Sequence, residues 1–255
     1  MIIYSCITNG YDVIPDHYYD PNVRYVMFHD GTVEQKGPWE FIKLDVDIKC
    51  PRRLSAYPKI NPHKYFDRGD DTVWIDGCYK MTKEFVEDAK TRFPFTILRH
   101  PDRFSYYDEM LEGFECSFFS YDEGIYLTRL LFESGYNFRT YRSPLGTIIY
   151  RKMTDTISRF GDLWWHWFDR GVNRDQVSLD VALQELGLNP NLMERTETGV
   201  PLGHHNKVGR KGKHPHIDDT EQWKDRNKFI KDLQLYVKMS RIYVKHNHEF
   251  MRSVQ

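Results

Sequence analysis

Short apolar runs rich in β-branched and aromatic residues recur along the chain, and a polar turn ends most of them. They lie at 2–8, 24–28, 73–75, 95–98 and 145–150. Each has the length and composition of a buried strand. The first run ends in Asn9-Gly10-Tyr11-Asp12, and the third ends in Asp76-Gly77. We predict that these runs form one sheet.

Helical spacing separates several of these runs. A short helix is predicted at 83–90, and another at 125–133 that stops at Ser134-Gly135. Apolar residues from Leu179 to Leu186 follow the i, i+3, i+4, i+7 pattern of one helix face, and Gly187 ends that helix. Strands that alternate with helices favour an α/β domain with a mixed, mostly parallel sheet flanked by helices.

The chain divides by composition near its end. We expect one domain over 1–216, which includes a loop at 199–216 rich in glycine, histidine and basic residues. The tail, 217–255, is expected to be a helical extension packed on this domain. Its long helix over 218–248 carries an apolar stripe of Ile230, Leu233 and Val237.

Composition narrows the class of protein. The chain has 36 Lys and Arg against 37 Asp and Glu. This near-neutral net charge gives no indication that the protein binds nucleic acid or a membrane surface. No apolar run approaches the roughly 18 residues needed to span a bilayer, and we expect no membrane partner. The four cysteines are scattered, which favours reduced thiols over a disulfide framework or a zinc site. A cytoplasmic protein of a bacterium or a phage-infected host cell is expected.

The third run presents a carboxylate at the edge of the predicted sheet. Asp76 directly follows the strand residues Trp74 and Ile75 and precedes Gly77. Ligands of open α/β sheets bind beyond the carboxyl ends of the strands, so Asp76 is a candidate for contact with a ligand or a metal. An Asp that caps a strand end would give the same pattern.

The loop at 199–216 is the second candidate. It carries His204 and His205 together with Lys207 and Lys211. Mg²⁺ and Mn²⁺ take oxygen ligands, and Mn²⁺ also accepts imidazole. Together with the strand-end acid, these residues indicate a site for a metal and a diphosphate. The alternative is a solvated basic loop or a contact with nucleic acid.

Two further pairs have both a functional and a structural interpretation. Arg53 and Lys59 lie upstream of the central strand and would neutralise phosphate oxygens or hold the strand-end acid; ordinary surface pairing needs the same residues. Asp175 and Gln176 open a helix, where Asp caps well, or they face a cleft and contact a sugar. Trp164 and Trp165 would form a stacking wall or part of the core.

These motifs follow one another in a defined order over roughly 1–190 of the sequence. The order is Arg53, Lys59, Pro62-His63, Trp74-Ile75-Asp76-Gly77, His100-Pro101-x-Arg103, Tyr107-x-Glu109, Trp164-Trp165 and Arg174-Asp175-Gln176. This order resembles the glycosyltransferase-like family that includes the plant mucilage-related rhamnogalacturonan galacturonosyltransferases.

More distantly, the chain looks like the retaining GT-A enzymes of the glycogenin and lipopolysaccharide galactosyltransferase group. The shared features are Arg53-Leu54-Ser55, the Asp175-Gln176 pair and a late loop, 205–211, that approximates His-x-x-Gly-x-x-Lys. The Asp-x-Asp metal motif of that group is reduced here to one acid, because Cys78 stands at its second position. The motif therefore leaves metal dependence open.

The resemblance implies a GT-A-like, Rossmann-like hexosyl- or pentosyltransferase. It would move a sugar from a nucleoside diphosphate donor, UDP-linked, to an acceptor hydroxyl with retention, assisted by Mn²⁺ or Mg²⁺. The implied residues are Thr8, Asn9, Tyr11, Asp12, Arg53, Lys59, Trp74, Ile75, Lys207 and Lys211 for the nucleotide sugar; Trp164, Trp165, His100 and Arg103 for the acceptor; Asp76, Asp175 and Gln176 for catalysis; and Asp76, His204 and His205 for the metal.

The acceptor and the class of activity have alternatives. A glycan is the acceptor that the resemblance implies, whereas a hydroxymethylated base in phage DNA would suit a lysine- and tyrosine-rich chain with a basic loop. A non-catalytic module that binds nucleotides or carbohydrates, or a nucleotidyltransferase, would use the same strand-end acid.

Overall fold

A computed structural model describes residues 1–116, 118–171, 174–194 and 225–239. The strands are β1 (Ile2–Ile7), β2 (Arg24–His29), β3 (Glu40–Lys43), β4 (Asp71–Ile75), β5 (Phe95–Arg99), β6 (Pro144–Lys152) and β7 (Asn191–Met193). The helices are α1 (Pro51–Ile60), α2 (Lys83–Ala89), α3 (Tyr106–Glu115), α4 (Tyr121–Glu133), α5 (Asp155–Arg170), α6 (Asp175–Glu185) and α7 (225–239). None of these described helices is long and apolar enough to cross a membrane.

The described strands form one mixed sheet in the order β3-β2-β1-β4-β6-β5-β7. β6 runs antiparallel to its neighbours β4 and β5, and every other neighbouring pair is parallel. The predicted α/β fold with a mostly parallel sheet is confirmed. The sequence did not predict the edge strands β3 and β7, because each is only a few residues long and mostly exposed or half-buried.

Alternate residues of the central strands pack on opposite faces of this sheet. Ile3 of β1 and Val73 of β4 pack in the cluster that contains α2. Tyr4 and Trp74 pack on the other face, against α1, α5 and α6. The same alternation directs the residue after β4, Asp76, toward the α1 side, so the two-residue period decides which helices the strand-end carboxylate meets.

A third cluster joins α3, α4 and α7 beside the sheet. Phe229 of α7 is fully buried and stacks on Phe114 of α3, with ring centroids 4.4 Å apart. Leu233 of the predicted stripe is also fully buried, while Ile230 and Val237 are half-buried. The described part of the tail, 225–239, is therefore a helix that packs on α3 and α4.

Phe229→Ala tests this packing. It should lower the free energy of unfolding by about 3–5 kcal/mol, because it removes a fully buried ring and leaves a cavity against Phe114. The matched control is Leu235→Ala on the same helix, where the side chain is 53% exposed and the change should stay within about 0.5 kcal/mol. Urea unfolding followed by circular dichroism measures both. Equal effects would contradict the described packing of α7.

Candidate functional site

A cavity of about 380 Å³ opens where β1 and β4 end, β6 begins, and α1 and α6 approach the sheet. The carboxyl ends of parallel strands meet at this edge, which is where open α/β sheets bind ligands. The residues singled out in the sequence that line it are Thr8, Asn9, Tyr11, Asp12, Lys59, Trp74, Asp76, Asp175 and Gln176.

Three charged side chains meet at the cavity wall. Lys59 Nζ lies 2.5 Å from Asp175 Oδ2 and 3.6 Å from Asp76 Oδ1. Lys59 is buried, whereas the side chain of Asp76 stays 31% exposed and faces the cavity. We call Lys59, Asp76 and Asp175 the acid–lysine cluster.

The local structure explains why these groups converge. The indole Nε1 of Trp74 donates to Asp76 Oδ1 at 2.8 Å and fixes the strand-end carboxylate. Gly146 of β6 leaves room for the lysine, since a Cβ there would lie 3.1 Å from Lys59 Nζ and 3.4 Å from Asp175 Oδ2. A residue with a side chain at this position would crowd the cluster.

Burial and charge set the ionisation of the cluster. Burial raises the pKa of Asp76 above its usual value, and Lys59 only partly offsets this. Burial acts the same way on Asp175, but Lys59 and Arg174 outweigh it and the pKa of Asp175 is lowered. Burial would lower the pKa of Lys59, but the two carboxylates outweigh it and raise the pKa. Asp76 is therefore the member of the cluster that takes up a proton first as the pH falls.

Two arginines that the sequence analysis did not assign to the site also line the cavity. The guanidinium carbons of Arg52 and Arg174 lie 4.2 and 4.9 Å from the centre of the Phe118 ring. Within the described residues, the guanidinium of Arg52 has no hydrogen bond and no ion pair. Burial lowers its pKa to about 10, which leaves it protonated at neutral pH. An anionic group of a ligand would complete its pairing.

Helical phase explains why Arg52 lines the cavity and why Arg53, which the sequence suggested for the diphosphate, does not. Along α1, Arg52 and Lys59 share the cavity face at i and i+7, with Ser55 and Ala56 between them. Arg53 points away, and its guanidinium donates to the backbone carbonyl of Asp169 at 3.1 Å and to the carboxylate. The sequence pattern does not predict α1 as a helix, so it gives no helical phase that would distinguish Arg52 from Arg53.

A buried carboxylate holds Arg174 in place. Glu109 of α3 is fully buried and accepts hydrogen bonds from Arg174 Nε and, at 3.1 Å, from Arg103 Nη1. Burial would lower the pKa of Arg174, but Glu109 and Asp175 outweigh it and raise the pKa. The predicted acceptor-side role of Arg103 is not supported by its position, because it pairs with Glu109 and does not line the cavity.

The turn after β1 forms another part of the cavity wall. Thr8 Oγ1 donates to the carbonyl oxygen of Pro51 at 2.8 Å and ties the end of β1 to the start of α1. Asn9 and Gly10 take left-handed backbone angles, with φ of 56° and 57°, and the backbone N–H of Asn9 donates to Asp30 Oδ2 at 2.7 Å. The Thr8 hydroxyl and the Asn9 backbone N–H thereby hold the turn at the cavity, and Thr8, Asn9, Tyr11 and Asp12 line it.

The tryptophans do not form the expected stacking wall. Trp164 is fully buried, and its Nε1 donates to the backbone carbonyl of Asp175 at 3.0 Å. It therefore supports the first turn of α6 from below. Trp165 packs edge-on against Tyr57, with centroids 5.0 Å apart, and lies outside the cavity lining. Aromatic rings reach the cavity from Phe118 and Phe168 instead.

Two other expected site residues belong to the packed interior. Ile75 is 1% exposed and packs on the α2 face of the sheet, because strand alternation directs it away from α1. His100 is buried outside the cavity lining, and its Nδ1 accepts the backbone N–H of Asp102 at 3.1 Å. Burial lowers the pKa of His100 to about 4, with Arg103 adding to the effect.

The expected metal site is only partly within the described residues. His204, His205, Lys207 and Lys211 lie outside them, so their approach to the strand-end acid stays a prediction. No group of three His, Cys, Asp or Glu in the described part of the chain could hold a metal ion. The donors present do not by themselves fit a divalent cation, because Asp76 Oδ1 already accepts the Trp74 indole and faces the Lys59 ammonium.

Comparison with solved structures finds 38 matching chains, and a galactosyltransferase among them is a distant structural neighbour. The chain is similar to the galactosyltransferase LgtC, solved in complex with donor and acceptor sugar analogues, with 9% sequence identity and a TM-score of 0.43. The similarity covers 76% of this chain and 73% of that one. No protein-family model and no curated protein matches the sequence, so the family resemblance described above gains no support from them. A likeness this distant carries no inference about substrate or mechanism.

The buried imidazole of His100 gives a pH prediction. Its pKa of about 4 lies below the ordinary 6.5, so between these values the unfolded chain binds a proton that the folded chain does not. The free energy of unfolding should therefore fall as the pH drops from 6.5 toward 4, and His100 should contribute up to about 1.4 kcal/mol per pH unit to this loss. Urea unfolding of wild type and His100→Gln at pH 7, 5.5 and 4.5 should show a shallower loss in the variant. Equal losses of unfolding free energy in the wild type and the variant would mean that folding does not lower the pKa of His100.

Proposed function

We propose that this protein is a GT-A-like glycosyltransferase that transfers a sugar from a nucleoside diphosphate donor to an acceptor hydroxyl. The observation that carries the proposal is one cavity in which the acid–lysine cluster lies beside Arg52, an arginine whose guanidinium makes no hydrogen bond or ion pair within the described residues. The volume of this cavity, about 380 Å³, falls within the range of small-molecule sites.

The cations of the cavity support binding of a diphosphate. Arg52 and Arg174 offer guanidinium groups, which match phosphate geometry, and Lys59 offers a compact ammonium. The first turn of α6 adds backbone N–H groups, because no side chain of its N-cap residue binds them. These positive groups would stabilise the charge that develops on the departing diphosphate, which is the electrostatic contribution such a transfer requires.

The remaining lining residues support roles for the rest of the donor. The polar turn of Thr8, Asn9, Tyr11 and Asp12 would hold the nucleoside, and the resemblance to GT-A enzymes suggests uridine. Asp175 stays ionised because of its lowered pKa, so it would orient the sugar or stabilise positive charge on its ring. Gln176 lies beside it, with Nε2 donating to the carbonyl of Pro144 at 3.3 Å. Retention of configuration is proposed from the resemblance alone.

The acceptor has two candidates. We propose a glycan, as the family resemblance suggests, and the basic loop at 199–216 is the reason to test a hydroxymethylated base in DNA. Affinity for duplex DNA that falls steeply with salt would favour the base, whereas no affinity for duplex would favour the glycan.

Asp76→Asn tests the enzyme proposal. Loss of this carboxylate should lower donor turnover by about 100-fold or more, because it releases one of the two anions that position Lys59. The measurement is a mass-spectrometric screen for transfer or hydrolysis of UDP-, GDP- and ADP-sugars, with circular dichroism as the check on folding. Wild-type turnover in the variant would remove Asp76 from the mechanism. No turnover of any donor by the wild type, with nucleotide still bound, would indicate a non-catalytic binding module, and transfer of a nucleotidyl group would indicate a nucleotidyltransferase.

Adjacent arginines give a matched pair for the diphosphate. Arg52→Met should weaken binding of UDP by about tenfold or more, the effect of one lost charge-assisted hydrogen bond in a partly buried site. Arg53→Met removes the same charge one residue away, from a pair with the exposed Asp169, and should change the affinity by about twofold at most. Isothermal titration calorimetry measures both. A larger effect at Arg53 would place the phosphates outside this cavity.

A further inference from the structure

We propose that Lys59 takes the place of a divalent cation at this site, so that the diphosphate of the donor binds without a metal ion. The inference rests on the proposed function, since it concerns the same cavity. It sets aside the Mn²⁺ or Mg²⁺ that the family resemblance implies.

The position of the ammonium is the first ground for this inference. Lys59 Nζ lies between two carboxylates, 2.5 Å from Asp175 Oδ2 and 3.6 Å from Asp76 Oδ1. A metal bridging the cluster would have to occupy the same space, because carboxylate–metal distances are about 2.0–2.6 Å. Gly146 and the Trp74 ring, 5.7 Å from Nζ, enclose the ammonium on other sides. A buried lysine paired in this way leaves no place for a second cation in the cluster.

The protein groups around Asp76 are the second ground for this inference. Its Oδ1 already accepts the indole N–H of Trp74 at 2.8 Å. The position two residues on is Cys78, a buried thiol on the cavity wall, and thiols are poor ligands for Mg²⁺ and Mn²⁺. Within the described residues there is no group of three His, Cys, Asp or Glu able to hold an ion.

The charge balance of the cavity is the third ground. Lys59, Arg52 and Arg174 bring three positive charges to the wall. The carboxylates of Asp76 and Asp175 lie at the same wall, and Glu109 pairs with Arg174 from outside the cavity lining. The ammonium has three N–H donors, so one remains for a phosphate oxygen after the two carboxylates are served. Arg52, which has no ion pair among the described residues, provides a second contact from the same face of α1, seven residues earlier. The protein itself thus supplies the positive charge that a metal ion would bring to a diphosphate.

The test compares binding of UDP, GDP and ADP by isothermal titration calorimetry in EDTA and in Mn²⁺. For the wild type, the best of these ligands should bind with the same dissociation constant in both solutions, within about twofold. This comparison needs no variant. Binding in Mn²⁺ that EDTA abolishes would overturn the inference and leave the proposed function standing. No binding in either solution would overturn both.

Two substitutions sharpen the comparison. Lys59→Met removes the ammonium, so affinity in EDTA should fall by about tenfold or more. Mn²⁺ should then restore part of it, because two carboxylates without a lysine between them attract a divalent ion. Lys59→Arg keeps the charge and should bind in EDTA without help from Mn²⁺. Thermal unfolding identifies any variant that fails to fold. Full affinity of folded Lys59→Met in EDTA would contradict the assigned role.

Discussion

The ion pairs of Lys59 connect the three elements that build the cavity. Lys59 lies in the last turn of α1, Asp76 follows β4, and Asp175 begins α6. Burying a charge costs several kcal/mol unless it is paired, so this lysine stays buried only while both acids remain in reach. The cluster therefore fixes how α1 and α6 approach the sheet edge, and the cavity exists because they approach it there.

Three large side chains, buried on the same face of the sheet, support the cluster from below. Trp74 donates to the carboxylate of Asp76, and Trp164 donates to the backbone carbonyl of Asp175. Arg151 of β6 donates at 2.8 Å to the backbone carbonyl of Lys59, where a cation also suits the negative end of the helix dipole. Each residue of the acid–lysine cluster thus accepts a hydrogen bond from one of these buried side chains. Substitutions of the three side chains would therefore change the site without removing a group that contacts a ligand.

Charge is distributed unevenly around the site. The acids and the lysine neutralise one another at the wall, whereas Arg52 and Arg174 add positive charge beside the Phe118 ring. Glu109 balances part of that charge from a fully buried position. A ligand with two or three negative charges fits this arrangement better than a neutral one, because it would complete the pairing of Arg52.

The local sequence pattern by itself determined most of the central secondary structure of this protein. The strand runs, the helices at α2, α4 and α6, and the acid after β4 follow from hydrophobic periodicity, which depends only on near neighbours. Tertiary structure decided which side chains meet. Arg52 rather than Arg53 reaches the cavity, and Trp164 is core rather than wall, because helix phase and packing select one of two adjacent residues. Lys59 and Asp175 are 116 positions apart in the sequence and meet only because α1 and α6 approach the same edge of the sheet. No local pattern predicts such a contact.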